Sequence, residues 1–369
     1  MKRGGKRLLV LTAAVVYSYA IAFGQSVPSE SANSSQYLQH ATRGVETLQG
    51  WYEKGTGLYK TTGWWNSANA ITVLADYSKA ANTQEYVSTF ANTFTEAQKT
   101  NAGFLNRYYD DEGWWALAWI DVYDLTGDAR YLQMAQSIFG DMAGGWDTAT
   151  CGGGIWWSKD KTYKNAIANE LFLSVAAHLA NRVANRQAAL YGDWSRREWE
   201  WFSASGMINA QHLINDGLNS STPTACKNND QTTWSYNQGV ILGALAEFSR
   251  FSADRTLISG ARAIATSATT HLVDAKGILH DPCEPKCGAD GPQFKGIFVR
   301  NLMQLYELNP DPAYRSFVEI NADSIWNATR GADYKFGLVW SGPFNQADAA
   351  THSSALEAII AAAVMRHDR

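Results

Sequence analysis

Two adjacent acids, Asp110 and Asp111, stand in the stretch YYDDEGWW (108–115), between a tyrosine pair and a tryptophan pair. If they open a helix, their side chains diverge by about 100°. Both carboxylates can then face one cleft about 5–7 Å apart, near the separation of about 5–5.5 Å that suits double displacement at an anomeric carbon. One acid would stay ionised as nucleophile, while the other, shielded by aromatic rings, keeps a proton and acts as general acid. An isolated Asp-Asp-Glu is ordinarily a helix cap, because acids are favoured at a helix N-terminus. The surrounding rings argue for chemistry instead.

Those rings recur. GWWN (63–66), YYDDEGWW (108–115), GGGIWW (152–157), TYKN (162–165) and WSYN (234–237) each lie at or just before the start of an apolar segment. Sugar rings stack their apolar faces on indole and phenol, while their hydroxyl edges need fixed amides and acids. The candidate substrate-binding residues are therefore Trp64, Trp65, Asn66, Tyr109, Trp114, Trp156, Trp157, Asn165, Trp234, Tyr236 and Asn237. Taken singly, any one of these tryptophans reads better as core; the repetition is the signal. His280, Asp281 and His352 are further polar candidates, although satisfied loop residues is the plainer reading of all three.

The elements that must position these residues are helices. Segment 114–123, WWALAWIDVY, is apolar nearly all round, as a buried helix is. The next, DARYLQMAQSIFGDM, carries Tyr131, Leu132, Ala135, Ile138, Phe139 and Met142 on the i, i+3, i+4, i+7 stripe of a half-exposed helix. The alternation repeats. Apolar helices are predicted near 66–77, 114–123, 165–180, 237–248, 295–306 and 354–365, and amphipathic ones near 84–98, 128–142, 195–215, 255–272 and 312–326. TGDAR and NPDPAYR carry the Asp and Pro signals of helix starts. Spacings of roughly 45–70 residues are too uneven for a strict solenoid. Six buried helices with outer partners point to an all-α double ring, with the aromatic collar gathered on one face.

Composition narrows the class. The 369 residues include 46 aromatic ones (15 Trp, 17 Tyr, 14 Phe), only 8 Pro and a formal charge of −4. Disordered and collagen-like chains are excluded, and no basic footprint marks a nucleic-acid partner. Residues 1–24, MKRGGKRLLVLTAAVVYSYAIAFG, have the layout of a secretory leader cleaved after Ala22 or Gly24. The apolar run, roughly 15 residues, is short for a membrane span. Cleavage would leave 27 basic against 35 acidic residues, so an acidic, soluble, secreted chain, 25–369, is expected, working as a monomer in a single domain. The end, AIIAAAVMRHDR, lacks the pattern of a lipid-anchor signal. Four cysteines allow three pairings. Cys283 and Cys287 lie four apart in a Pro/Gly loop and suit a local bridge, leaving Cys151 with Cys226 by elimination. Zinc-type spacing is absent, so no metal is expected. Asn33, Asn219 and Asn327 begin N-x-S/T sequons.

GWWNSANAITVLADY (63–77), YYDDEGWWALAWIDVYDLTGDARYL (108–132) and CGGGIWWSKDKTYKNAIANELFLSVAAHLA (151–180) resemble glycoside hydrolase family 76, the endo-α-1,6-mannanases, with WSYNQGVILGAL (234–245) and GIFVRNL (296–302) as further matching blocks. The resemblance covers essentially the whole mature chain and implies an (α/α)6 toroid. It also implies retaining cleavage of α-1,6-mannan or oligomannoside without metal or organic cofactor. By position it implies Asp110 as nucleophile and Asp111 as acid/base. The family includes lipid-anchored cell-wall members regarded as transglycosylases on anchor glycans, so glycan transfer is an alternative. A mannan-binding protein without turnover is the alternative from another class.

Overall fold

The computed structural model describes residues 1–2, 30–220 and 224–367. From residue 3 onward the leader lies outside the described residues, as does the side chain of Asn33; Asn219 and Asn327 are exposed. Among the described residues no helix is long and apolar enough to cross a membrane.

Twelve α-helices are present among the described residues: α1 (Glu30–Gln49), α2 (Trp64–Ala80), α3 (Val87–Glu96), α4 (Tyr109–Thr126), α5 (Ala129–Ala143), α6 (Ala166–Arg182), α7 (Asn185–Ala204), α8 (Ser235–Ser249), α9 (Thr256–His271), α10 (Phe294–Leu308), α11 (Pro312–Ala328) and α12 (Ala349–His367). The even-numbered helices pack in sequence, α2 on α4, α4 on α6, and onward to α12, which returns to α2. The ring is therefore closed, an α/α toroid. Its inner helices are buried over most of their length; in α6 every residue from Ala166 to Ala180 is buried. The outer helices bury one stripe each. In α5 that stripe is Tyr131, Ala135, Ile138, Phe139 and Met142, following the 3.6-residue period.

Local signals act as read. The Asp128 carboxylate accepts from the Arg130 amide at 3.1 Å and caps α5. Asp311 accepts from Ala313 at 2.9 Å and caps α11, with Pro312 in its first turn. Two predictions need correction. The Ser-rich start hides a sixth outer helix: Tyr37, Ala41, Val45 and Leu48 form the buried stripe of α1, which packs on α12 and completes the last hairpin. The helix predicted at 195–215 instead spans Asn185–Ala204. It stops at Ser205 and at Gly206, whose φ of 86° is left-handed, and Met207, Leu213 and Ile214 are buried as loop residues that imitate a helical period.

The loop 147–154 bends back under Lys164. This lysine is fully buried, and its ammonium donates to the carbonyls of Asp147, Thr150 and Gly153, each at 2.6 Å. The disulfides are Cys151–Cys226 and Cys283–Cys287, 75 and 4 residues apart in sequence. Loop-closure entropy scales with that separation, so changing both Cys151 and Cys226 to Ser is expected to lower the unfolding free energy by about 4 kcal/mol, against about 2 kcal/mol for the short bridge. Denaturant midpoints of the two double variants check this, and equal losses would refute the ordering.

Candidate active site

The acid pair is set by the turn that precedes α4. Tyr108 is extended, and the Tyr109 amide donates to the Trp157 carbonyl at 3.0 Å, so the helix begins against the 155–158 strip. Asp110, Asp111 and Glu112 then occupy its first turn. Successive residues point different ways. Trp157 Nε1 donates to Asp110 Oδ2 at 2.9 Å, whereas Asp110 Oδ1 is buried with no hydrogen-bond partner. Asn106 Nδ2 donates to Asp111 Oδ2 at 2.6 Å. Glu112 points into the scaffold, where its Oε1 accepts from Lys159 Nζ at 2.7 Å and from the Asn106 amide at 3.2 Å. Three consecutive acids thus divide: two face the cleft, and the third fastens the loop that carries Asn106.

Asp110 and Asp111 line a cavity of about 500 Å3 together with Trp65, Tyr108, Trp114, Trp157, Tyr163, Asn165, Asp216, Tyr236, Asp290 and Phe294. Burial and then the neighbouring Asp111 charge push the Asp110 carboxyl well above the ordinary range. Burial also raises Asp111, with the Asn106 amide opposing and the Asp290 charge reinforcing the rise. Both shifts favour the protonated form, so the pair is expected to keep a proton at a pH where ordinary carboxyls have lost theirs. Across the cavity Tyr163 donates its hydroxyl to Asp216 Oδ2 at 2.6 Å and accepts from Asn229 Nδ2 at 2.8 Å. The aromatic wall is continuous. Trp65 lies 5.6 Å from Trp114 at 26° and 6.4 Å from Phe294 at 29°, and Phe294 stacks on Tyr236 at 3.9 Å and 14°. The lining includes four aspartates and no lysine, arginine or histidine.

Of the predicted binding residues, Trp65, Trp114, Trp157, Asn165 and Tyr236 line the cavity. The other six lie outside its lining. Trp64 packs on Phe104 and Trp115 in the core. Asn66 turns back on the start of α2, its Oδ1 taking the Gly63 amide at 3.2 Å. Tyr109 is buried, with the Lys159 ammonium 5.6 Å from its ring. Trp156 lies beneath the Lys164 ammonium at 4.8 Å, and Trp234 meets Phe294 edge-on at 5.6 Å. Asn237 is fully buried. Asp281 accepts from Ser235 N and Oγ at 2.9 and 2.6 Å and so anchors the start of α8. His352 lies in α12; it accepts the Phe336 amide at 3.2 Å and faces the Gly44 carbonyl at 2.8 Å, and burial lowers its pKa to about 4. The structure brings in Tyr108, Tyr163, Asp216, Asp290 and Phe294, which the sequence reading did not select. Tyr108 and Tyr163 fell inside quoted blocks; the two aspartates come from loops with no local mark.

Residues 29–369 match the model of Glycosyl hydrolase family 76. The chain belongs to that family. Relatives within family 76 are fungal and bacterial. The chain is 25% identical over 295 residues to the mannan endo-1,6-alpha-mannosidase DFG5 of Candida albicans, covering 73% of this chain and 64% of that protein. It is also 25% identical over 340 residues to the mannan endo-1,6-alpha-mannosidase DCW1 of Saccharomyces cerevisiae, covering 82% of this chain and 73% of that protein. The chain spans 62% and 64% of the length of two of the curated relatives it matches. Its fold is that of solved family 76 structures. One is an inactive variant of the alpha-1,6-mannanase GH76A of Salegentibacter sp. HEL1_6, with two consecutive aspartates replaced by alanine, in complex with alpha-1,6-mannotetrose. It superposes with a TM-score of 0.81 at 21% identity, covering 89% of this chain and 99% of that one. Another is Dfg5 from Chaetomium thermophilum in complex with glucosamine, with a TM-score of 0.79 at 18% identity over 91% and 92%.

Proposed function

We propose that this protein is an extracellular endo-α-1,6-mannosidase that cleaves mannan with retention of configuration, using Asp110 and Asp111. The observation that carries the reading is a pair of consecutive, buried carboxylates facing an aromatic-walled cleft. Family 76 membership and the inactivity of the GH76A variant lacking two consecutive aspartates support it.

Asp110 is the nucleophile, acting in the form of the pair whose one proton rests on Asp111, although burial presses harder on Asp110. The Trp157 indole steadies one oxygen, leaving Oδ1 with its lone pairs unengaged. Oδ1 attacks the anomeric carbon as the Asp111 carboxyl passes its proton to the glycosidic oxygen, and the leaving sugar departs with a complete hydroxyl. The mannosyl ester on Asp110 is inverted. Asp111, now a carboxylate, takes a proton from water as the water oxygen displaces Asp110, and the second inversion restores the starting configuration. The rings of Trp65, Trp114, Phe294 and Tyr236 hold successive mannose units, while Asp216 accepts from a sugar hydroxyl. Two disulfides suit an oxidising, extracellular compartment.

The test is linear α-1,6-mannan, with products sized over time and the first-formed anomer read by proton NMR. Internal cleavage with an α-anomer is expected; an initial β-anomer overturns the double displacement. One observation favours glycan transfer as a second reading. Four aspartates without a lining cation suit an ammonium-bearing amino sugar, and the Chaetomium Dfg5 structure holds glucosamine. Products longer than the oligomannoside supplied, formed when an aminated glycan acceptor is added, would select transfer over hydrolysis. Binding without turnover would instead support a lectin-like role, which the retained acid pair opposes.

A further inference from the structure

The connection from His280 to Asp290 is fastened more heavily than its length requires. Asp281 ties its start to Ser235 of α8. Glu284 takes the Asp281 amide at 3.0 Å and the buried Lys295 ammonium at 2.6 Å, and Lys295 also donates to the Leu338 carbonyl at 2.8 Å. The Cys283–Cys287 disulfide then closes the loop on itself. The bridge sits against the backbone that follows Asp290: a Cβ added at Gly291 would lie 2.6 Å from Cys287 Cβ and 3.1 Å from Cys283 Sγ. Only the tip of the connection faces the cleft, and there Asp290 Oδ1 accepts from Trp65 Nε1 at 2.8 Å.

Trp65 needs such a partner. It is half-exposed at the cleft, between Trp114 and Phe294, and each ring is offset from it by more than 5 Å. Loose stacking leaves the indole free to swing between rotamers, whereas a charge-assisted hydrogen bond to its edge selects one plane. A platform fixed before the sugar arrives spares the ordering cost on binding. We propose that the Cys283–Cys287 loop is a clamp which, through Asp290, sets the plane of Trp65, so that Asp290 is a positioning residue for glycan binding and not for bond cleavage. This rests on the glycan-cleaving reading above for its ligand, but the clamp itself exists in the ligand-free protein.

The experiment follows Trp65 directly. In protein labelled with 5-fluorotryptophan, the Trp65 resonance is identified by its loss in Trp65→Phe. Asp290→Ala, and the double variant Cys283→Ser with Cys287→Ser, are expected to shift or broaden that line without ligand, and Asp290→Glu to restore it. In the same two variants Kd for α-1,6-mannotriose should rise about five- to tenfold. A Trp65 line unmoved in Asp290→Ala overturns the clamp. So does a weaker Kd with the line unmoved, which would make Asp290 a direct sugar ligand. Should the double cysteine variant fail to fold, Asp290→Ala and Asp290→Glu decide. If the parent neither binds nor cleaves α-1,6-mannosides, the glycan reading falls, while the fluorine line still tests the clamp.

Discussion

Asp110→Asn and Asp111→Asn are each expected to lose about four orders of magnitude or more in kcat on α-1,6-mannan, because groups that act as a unit are disabled by removal of either one. The two losses should differ in kind. An Asp110→Gly variant lacks the nucleophile but keeps the acid, so azide entering the vacated space should restore turnover and give a mannosyl azide of inverted configuration. Asp111→Asn lacks the proton donor, so a mannoside with a dinitrophenolate leaving group, which departs without a proton, should recover most of the first step. Substantial residual cleavage of mannan by both Asn variants would sink the assignment. Rescue of the two in the opposite pattern would exchange the roles.

Stability should move the other way. Both carboxyls have folded-state pKa values raised above their unfolded ones. Such a group costs nothing below its unfolded value near pH 4, and it weighs increasingly against the fold as pH rises through its folded value. Asparagine does not titrate. The Asn variants are therefore expected to match the parent's Tm at about pH 4 and to exceed it near pH 8, a gain in stability where activity is lost. A parent Tm that climbs relative to the variants with rising pH would contradict the sign of both shifts.

Lys164→Met is expected to cost about 3–5 kcal/mol of stability, or roughly 4–7 °C in Tm. Burial lowers the lysine's proton affinity, yet three carbonyls at 2.6 Å and the Trp156 ring hold the ammonium in place. Methionine fills the volume but leaves three carbonyls without their donor, that of Gly153 in buried surroundings, and each unsatisfied buried group costs about 1–3 kcal/mol. Arginine should not rescue, since a planar fork cannot meet three oxygens that converge on a point. The loop so released leads directly into Trp156 and Trp157, and Trp157 is the donor to Asp110, so activity should fall with stability. A variant with unchanged denaturant midpoint would show that water replaces the ammonium.

Where periodicity and local chemistry coincide, the chain was legible. Helices α4 and α5 follow their apolar patterns, and Asp128 caps where a Gly-Asp pair said it would. The α1 stripe was just as periodic, but its Ser and Asn neighbours masked it. Rings were harder than helices. Trp64 and Trp65 are adjacent and chemically identical, yet about 100° of helix rotation sends one to the core and the other to the cleft, which only the packing of α2 decides. Asp216 and Asp290 carry no sequence signature, because what matters is where long connections return in space. Glu112 shows the converse: it shares a helical turn with the acid pair and faces away from it.

The seam of the ring has a consequence for biosynthesis. Helix α12 packs on α10, on α2 and on α1, so elements made early meet one made much later. Until α12 has left the ribosome, α2 and α10 each present an apolar flank with nothing to cover it. Until then the nascent ring is an open arc whose exposed apolar flanks favour self-association. Pairings so far apart in sequence close slowly, so joining of α12 to α1 and α2 is expected to be a late step of folding. Substitutions in α12, far from the cleft in sequence, should be read first as defects of maturation and yield.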